Sequence, residues 1–243
     1  MEFIEFKKEL ERIFEKNSLA DLLTDERSQK LYDLTRIMLD VNKSMNLTAI
    51  TDEKAIILKH YADSLTVSKY IPNGARVIDV GCGAGFPCLP LAIFRDDLKI
   101  VALDATAKRI KYVDDTAKKL GLTNIQAVAA RAEDFAKLPE HRESYDVATA
   151  RAVAALPVLS ELCLPFVKKG GKFVAMKASQ GENEAAEAQN AIKLCGGAPA
   201  LIDKFALTSD VDSDTRVIIS VLKTSSTPSK YPRNYSQIVK KHL

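Results

Sequence analysis

The stretch Val77-Ile78-Asp79-Val80-Gly81-Cys82-Gly83-Ala84-Gly85-Phe86-Pro87 narrows the choice of fold more than any other part of the chain. Its first four residues suit a strand covered on both faces, and Pro87 followed by Leu89, Leu91, Ala92 and Ile93 suits a helix start. The glycines between them therefore make a strand-to-helix turn. Such a turn serves either the close packing of helix on strand or the approach of a ligand to main chain that carries no side-chain bulk.

The same alternation continues downstream. Strands are predicted over 76–80, 99–104, 125–129, 145–150 and 172–177, with helices over 108–120, 156–167 and 182–194. Alternation of this kind builds a parallel sheet with helices on both sides. The last two strands, 200–207 and 216–222, are joined by the acidic turn 209–214, which leaves no room for a helix, so they must form a hairpin. The fold class predicted is α/β: a seven-stranded, mostly parallel, Rossmann-like sheet closed by an antiparallel C-terminal hairpin. That arrangement is familiar from S-adenosylmethionine-dependent methyltransferases.

Ahead of the sheet, Phe3, Phe6, Leu10, Ile13 and Phe14, then Leu31, Leu34, Ile37, Met38 and Val41, recur at helical spacing, and a third helix is predicted over 52–70. The expected organisation is a helical cap over 1–70, a cofactor-binding domain over 71–223 and a basic tail over 224–243. The tail holds five Lys or Arg residues from Lys223 onward and no acid, with Tyr231 and Tyr235 interleaved, which suits contact with nucleic acid or a solvated end. At 47% hydrophobic and 28% charged the chain buries a real core, which excludes disordered and fibrous classes. Its first residues interleave acids with apolar positions and offer no signal or membrane span, so a cytoplasmic protein is expected. Cys82, Cys88, Cys163 and Cys195 form no C-x-x-C pair, and no metal is expected. His60 and Asp63, three apart on a helix, read as a cap or an intrahelical hydrogen bond rather than as metal ligands.

What ligand would sit on the glycine turn follows from the strand ends. Asp104 closes the second strand, where an ionised carboxylate accepts two hydrogen bonds from a ribose diol. The turn reads G-x-G-x-G, a poor fit to the dinucleotide fingerprint, and no G-K-[ST] follows. Asp79, behind the turn, would repel a pyrophosphate and favour an ammonium and a sulfonium, or would bond amides of its own turn. The cofactor predicted is S-adenosyl-L-methionine, its sugar at Asp104, Ala105 and Thr106, its adenine near Ala130 to Asp134, and its amino-acid end along Gly81, Gly83 and Gly85.

Asn46-Leu-Thr-Ala-Ile, His60-x-x-Asp63-Ser64-Leu65, Asp79-Val-Gly-x-Gly-x-Gly-Phe-Pro87, Lys108-Arg109, Arg131-Ala-Glu133, Arg151-Ala-Val-Ala154 and Gly170-Gly171-x-Phe-Val-x-x-Lys177 together resemble the bacterial glucose-inhibited division protein B family. The likeness runs over roughly residues 30 to 235; the tail keeps Tyr231-Pro-Arg233, Lys240 and Leu243 but departs at Ser236, Ile238 and His242. The resemblance implies methylation of a guanine N7 in small-subunit (16S) ribosomal RNA, with cofactor contacts at Gly81, Phe86, the Asp104 region, Ala132, Glu133 and Arg151. Guanine N7 carries a lone pair and no proton, so such chemistry asks for positioning rather than a general base. Arg151 is the candidate catalytic residue, its fork reaching guanine O6 or a flanking phosphate, or else paired with Glu133 or the cofactor carboxylate to shape the pocket. Arg109, Arg131, Lys168, Lys169, Lys177 and Arg233 are the expected RNA-binding cations. The expected partner is 16S ribosomal RNA or the small subunit, bound by a monomer.

Overall fold

The computed structural model describes residues 1–211 and 213–243. Seven strands, β1 (Arg76–Val80), β2 (Lys99–Asp104), β3 (Ile125–Ala129), β4 (Tyr145–Arg151), β5 (Val167–Lys177), β6 (Leu201–Thr208) and β7 (Ser213–Leu222), form one sheet in the order β3-β2-β1-β4-β5-β7-β6. β1 to β5 run parallel, and β7 is antiparallel to both β5 and β6, which is the predicted hairpin. Asp212, within the acidic turn, lies outside the described residues. The strand order reverses between β1 and β4, so the crevice beyond their carboxyl ends is where an open α/β sheet receives ligands.

Strict alternation explains why the sheet is covered on both sides. Val77, Ile100, Ala102, Val147, Val174 and Ile218 point into one apolar cluster, while Ile78, Val101, Leu103, Ala148, Phe173 and Ile219 point into the other. The first cluster is closed by α1 (Phe3–Lys16), α2 (Asp25–Met45), the segment of α3 (Glu53–Ile56) and α4 (Asp63–Leu65), then α5 (Cys88–Phe94) and α6 (Ala107–Lys119). α7 (Ala132–Phe135), α8 (Leu156–Cys163), α9 (Gly181–Glu187), α10 (Gln189–Leu194) and α11 (Tyr235–Lys240) close the second. At about 1.5–3 kcal/mol for each large apolar side chain fully buried, either cluster outweighs any single polar contact in holding the layers together.

The three segments expected from the sequence do not pack as separate units. Phe6, Leu10, Leu31, Leu34 and Met38 share one core with the sheet, and Asn17 at the end of α1 exchanges two hydrogen bonds with the Thr208 main chain of the edge strand β6. The tail is docked as well. Tyr231 and Ile238 are buried in the second cluster, and Arg142 donates to the carbonyls of Thr227, Pro228 and Tyr231. Lys223 is wholly buried, with its ammonium bonded to Leu164 O, Thr227 Oγ1 and Glu143.

Several boundaries differ from expectation; the last strand begins at Ser213 rather than 216, and the helix predicted over 156–167 is α-helical only to Cys163. The helix over 52–70 is interrupted by a π-turn at Ile57–Ala62, the polar helix over 182–194 divides at Ala188, and β5 begins at Val167, which pairs with Tyr145 before the register shifts. π-turns inside helices are frequent at functional sites, and this one carries His60. Among the described residues no helix is long and apolar enough to cross a membrane.

Candidate active site

The glycine turn is pulled onto β2, because the amides of Gly81 and Cys82 both donate to Leu103 O, at 2.7 and 3.0 Å. Two of the glycines answer to packing. A Cβ on Gly81 would lie 2.6 Å from Val153 Cγ2, and one on Gly85 would lie 2.3 Å from Leu89 Cδ1. Gly83 answers to something else: its φ of +56° is a left-handed conformation, yet a Cβ there would meet only Gly81 O at 3.9 Å. The middle of the turn is open main chain.

Asp104 organises that main chain. Its carboxylate is 7% exposed and accepts from Gly83 N at 3.1 Å and from Thr106 N at 2.7 Å, one amide on each oxygen. Each oxygen keeps a lone pair for a further donor. Ala105 and Thr106 stand exposed beside it at the start of α6. Asp79, by contrast, is buried beneath the turn, where it accepts from Cys88 N at 3.2 Å and Thr149 Oγ1 at 3.0 Å. The second of the two readings of Asp79 is thus the one the geometry gives, and its carboxylate does not line the crevice.

Burial lifts the Asp79 carboxyl to about 6, against the lowering effect of those two bonds. The unfolded carboxyl titrates at 3.8, so the folded state holds the extra proton between these values and loses stability as pH rises through them. Asp79→Asn removes that loss. Its stability relative to the native chain is expected to rise by about 2–3 kcal/mol from pH 4 to pH 7, read from urea midpoints at both pH values. A difference that did not change with pH would show an ordinary carboxyl at this position.

On the other side of the turn stands a cluster that the sequence did not reveal. Arg151, at the end of β4, donates through Nη1 to Asp63 Oδ2 at 2.8 Å and Lys59 O at 3.0 Å, and its guanidinium lies 5.2 Å from the centre of the Phe86 ring. His60 stacks on Phe86 at 4.4 Å, with Nδ1 accepting from Arg151 Nη2 at 3.4 Å and Nε2–H donating to Thr48 Oγ1 at 3.0 Å. Burial and, after it, the Arg151 charge lower the imidazole to about 3, so His60 is neutral near pH 7. Arg216 from β7 completes the group, donating through Nε to Asp63 Oδ1 at 2.8 Å. The carboxylate partner of Arg151 is therefore Asp63 and not Glu133, and His60 and Asp63 bond across the fold rather than along their helix. The guanidinium partners of Asp63 lie 88 and 153 residues away and that of His60 lies 91 away, beyond any spacing rule, while Thr48 is 12 residues from His60.

Glu133, in the first turn of α7, is 7% exposed, and among the described residues its carboxylate has no hydrogen-bond or ion-pair partner. Ala132 precedes it, and Ala130 N donates to Asp104 O at 3.1 Å, which ties this corner to the second strand's end. A carboxylate that receives no donor from the described residues has acceptor capacity left for a ligand that brings N–H or O–H groups.

The six cations expected to bind RNA do not form one surface. Arg109 lies 3.9 Å from Asp104, and Arg131 sits exposed with its guanidinium 5.9 Å from the Tyr235 ring; both stand at the carboxyl edge of the sheet, as does exposed Lys108. Lys168, paired with Asp146 at 2.5 Å, and Lys169 lie at the start of β5 on the opposite edge. Lys177 is committed to Ala154 O at 2.6 Å and Glu184 at 2.7 Å, where it braces the loop that carries Val153. Arg233 is clamped on Glu161, a fully buried carboxylate, at 2.6 and 2.9 Å. Lys177 and Arg233 are already paired inside the fold and so are not available to a phosphate, while exposed Lys168 and Lys169 lie at the edge of the sheet away from the crevice.

Solved structures of similar shape include an S-adenosylmethionine-dependent O-methyltransferase from Thermotoga maritima, with a TM-score of 0.52 and 16% identity over 79% of this chain and 72% of that one. The likeness concerns the fold. Sequence relatives are closer: the ribosomal RNA small subunit methyltransferase G of Listeria innocua is 46% identical over 213 residues, 87% of this chain and 89% of that protein, and its counterpart in Desulforamulus reducens is 42% identical over 223 residues, 91% of this chain and 92% of that protein. The profile of the rRNA small subunit methyltransferase G (GidB) family matches residues 27–210, which span the turn, Asp63, Asp104, Glu133 and Arg151. The chain belongs to that family.

Proposed function

We propose that the protein uses S-adenosyl-L-methionine to methylate N7 of a guanine in a loop of small-subunit (16S) ribosomal RNA. The observation that carries the cofactor assignment is Glu133, a carboxylate 7% exposed at the crevice corner that receives no donor from the described residues. Asp104 keeps free lone pairs for a ribose diol, the open main chain at Gly83 admits the amino-acid end, and Ala132 and Glu133 border the adenine. When bound, the cofactor supplies an electrophilic methyl on a cationic sulfur.

The protein's own part is to position and to exclude competing proton chemistry. His60 is held neutral, with one ring nitrogen bonded to Thr48 and the other to Arg151. Asp79 is enclosed beneath the turn. Neither is placed to take a proton from a substrate, in keeping with a nucleophile that has none to give. Arg151 retains Nε and part of Nη2 for the cofactor or the base edge. On this reading it acts in the cytoplasm as a monomer.

Small-subunit ribosomal RNA from cells lacking the gene is expected to accept label from the methyl-labelled cofactor, and borohydride–aniline treatment is expected to cut it at one new guanine. Label without the cut would move the methyl off N7, and no transfer to RNA would overturn the reading. The RNA approaches over the carboxyl edge, where Lys108, Arg109 and Arg131 are exposed. Replacing these three by alanine is expected to weaken RNA binding about tenfold or more and to flatten the slope of log affinity against log salt by roughly 2–3, from filter binding between about 50 and 200 mM salt. Lys168→Ala with Lys169→Ala is expected to change neither.

A further inference from the structure

Asp63 is 5% exposed and lies at the end of the π-turn, yet its carboxylate bonds nothing on its own helix. Its two oxygens are divided between two guanidiniums from distant strands, Arg151 on β4 at 2.8 Å and Arg216 on β7 at 2.8 Å. Arg216 is in turn held by Asp214 at 3.3 Å. Arg151 is thereby fixed against Phe86, on which His60, itself set by Thr48, also stacks. Thr48 is anchored by the Asn42 side chain, which accepts from Thr48 N at 2.9 Å and donates to Thr48 O at 3.0 Å. The wall of the pocket beside Gly81 to Phe86 is thus built from the N-terminal helices, β4 and the terminal hairpin at once.

We infer that Asp63 is a positioning residue for cofactor binding: bridged to Arg216, it holds the Arg151 guanidinium over Phe86 in the orientation that the cofactor requires. Without the carboxylate two guanidiniums face each other with no shared counter-charge, and Arg151 keeps only a carbonyl and an imidazole as partners. Side-chain freedom returns to Arg151, and the order it lost must be imposed by the ligand on binding. The inference rests on reading Arg151 and Phe86 as part of the cofactor pocket.

The test is titration calorimetry with S-adenosylhomocysteine on the full chain, on Asp63→Asn, on Arg151→Ala and on the double variant, with a thermal melt of each. Asp63→Asn is expected to weaken binding about tenfold in the native background and less than twofold where Arg151 is already alanine, whereas its effect on the melting temperature persists in both. In turnover the KM for cofactor is expected to rise while the KM for RNA stays unchanged. An unchanged dissociation constant for Asp63→Asn, or an equal loss with and without Arg151, overturns the inference and leaves the proposed methyl transfer standing. Failure of the native chain to bind S-adenosylhomocysteine overturns both. Should Asp63→Asn fail to fold, the decision passes to Arg216→Gln, which keeps the Asp63–Arg151 pair but frees the carboxylate to turn: a few-fold weakening is expected, and no change overturns the inference.

Discussion

Arg233→Ala is expected to destabilise the protein by about 3–5 kcal/mol, the range for removing one member of a buried ion pair. The partner left behind, Glu161, is fully enclosed on α8. Its two oxygens receive Arg233 Nη2 at 2.6 Å, Arg233 Nε at 2.9 Å and the Arg233 main-chain amide at 2.8 Å. Deleting the guanidinium leaves a carboxylate with one amide for company in an apolar layer. At roughly 2–4 °C per kcal/mol for a domain of this size, the melting temperature is expected to fall by about 6–20 °C. Arg233→Lys keeps a charge but not the fork, and is expected to lie between the two. Below its melting point the alanine variant is expected to bind RNA as the native chain does. A variant of native stability that had lost RNA affinity would instead return Arg233 to the nucleic-acid surface.

That example marks where the sequence stops informing. Strand ends at 76–80, 99–104 and 125–129 agree with prediction to the residue, because short apolar runs of strand length are written into neighbouring positions and each strand is stopped by its own turn. The glycine turn and Asp104 were legible for the same reason: the bonds from Gly81, Cys82, Gly83 and Thr106 all close within one β-α-β unit. Whether a cation is free or paired is a different kind of fact. Lys177 and Arg233 read as surface charge because Glu184 and Glu161 are unremarkable as sequence, and only folding sets them side by side. Asp63 illustrates the converse, since a carboxylate three residues from a histidine suggested a local bond, while its partners come from β4 and β7.

The pocket itself is most exposed to loss at Asp104. Asp104→Ala is expected to weaken S-adenosylhomocysteine binding by about 10²-fold or more, since two effects act together. The amides of Gly83 and Thr106 lose the acceptor that fixes them 3.1 and 2.7 Å from one carboxylate, so the turn on one side and the start of α6 on the other are no longer tied to each other. The ribose hydroxyls lose a charged acceptor, and hydrogen bonds to charged groups contribute about 1.5–3 kcal/mol each, with 1.4 kcal/mol equal to a factor of ten. Asp104→Asn separates the effects: the amide is isosteric and keeps one acceptor oxygen, but its NH2 then faces a main-chain N–H, so it is expected to fall short of the native affinity while exceeding alanine. Thermal midpoints without ligand are expected to move far less than the affinities, because the side chain holds a surface turn and the sheet beneath it is closed by both apolar clusters. Calorimetry on the three proteins decides the matter: equal dissociation constants would mean that the sugar lies elsewhere, and the carboxylate at the end of β2 would then be no more than the clasp of its own loop.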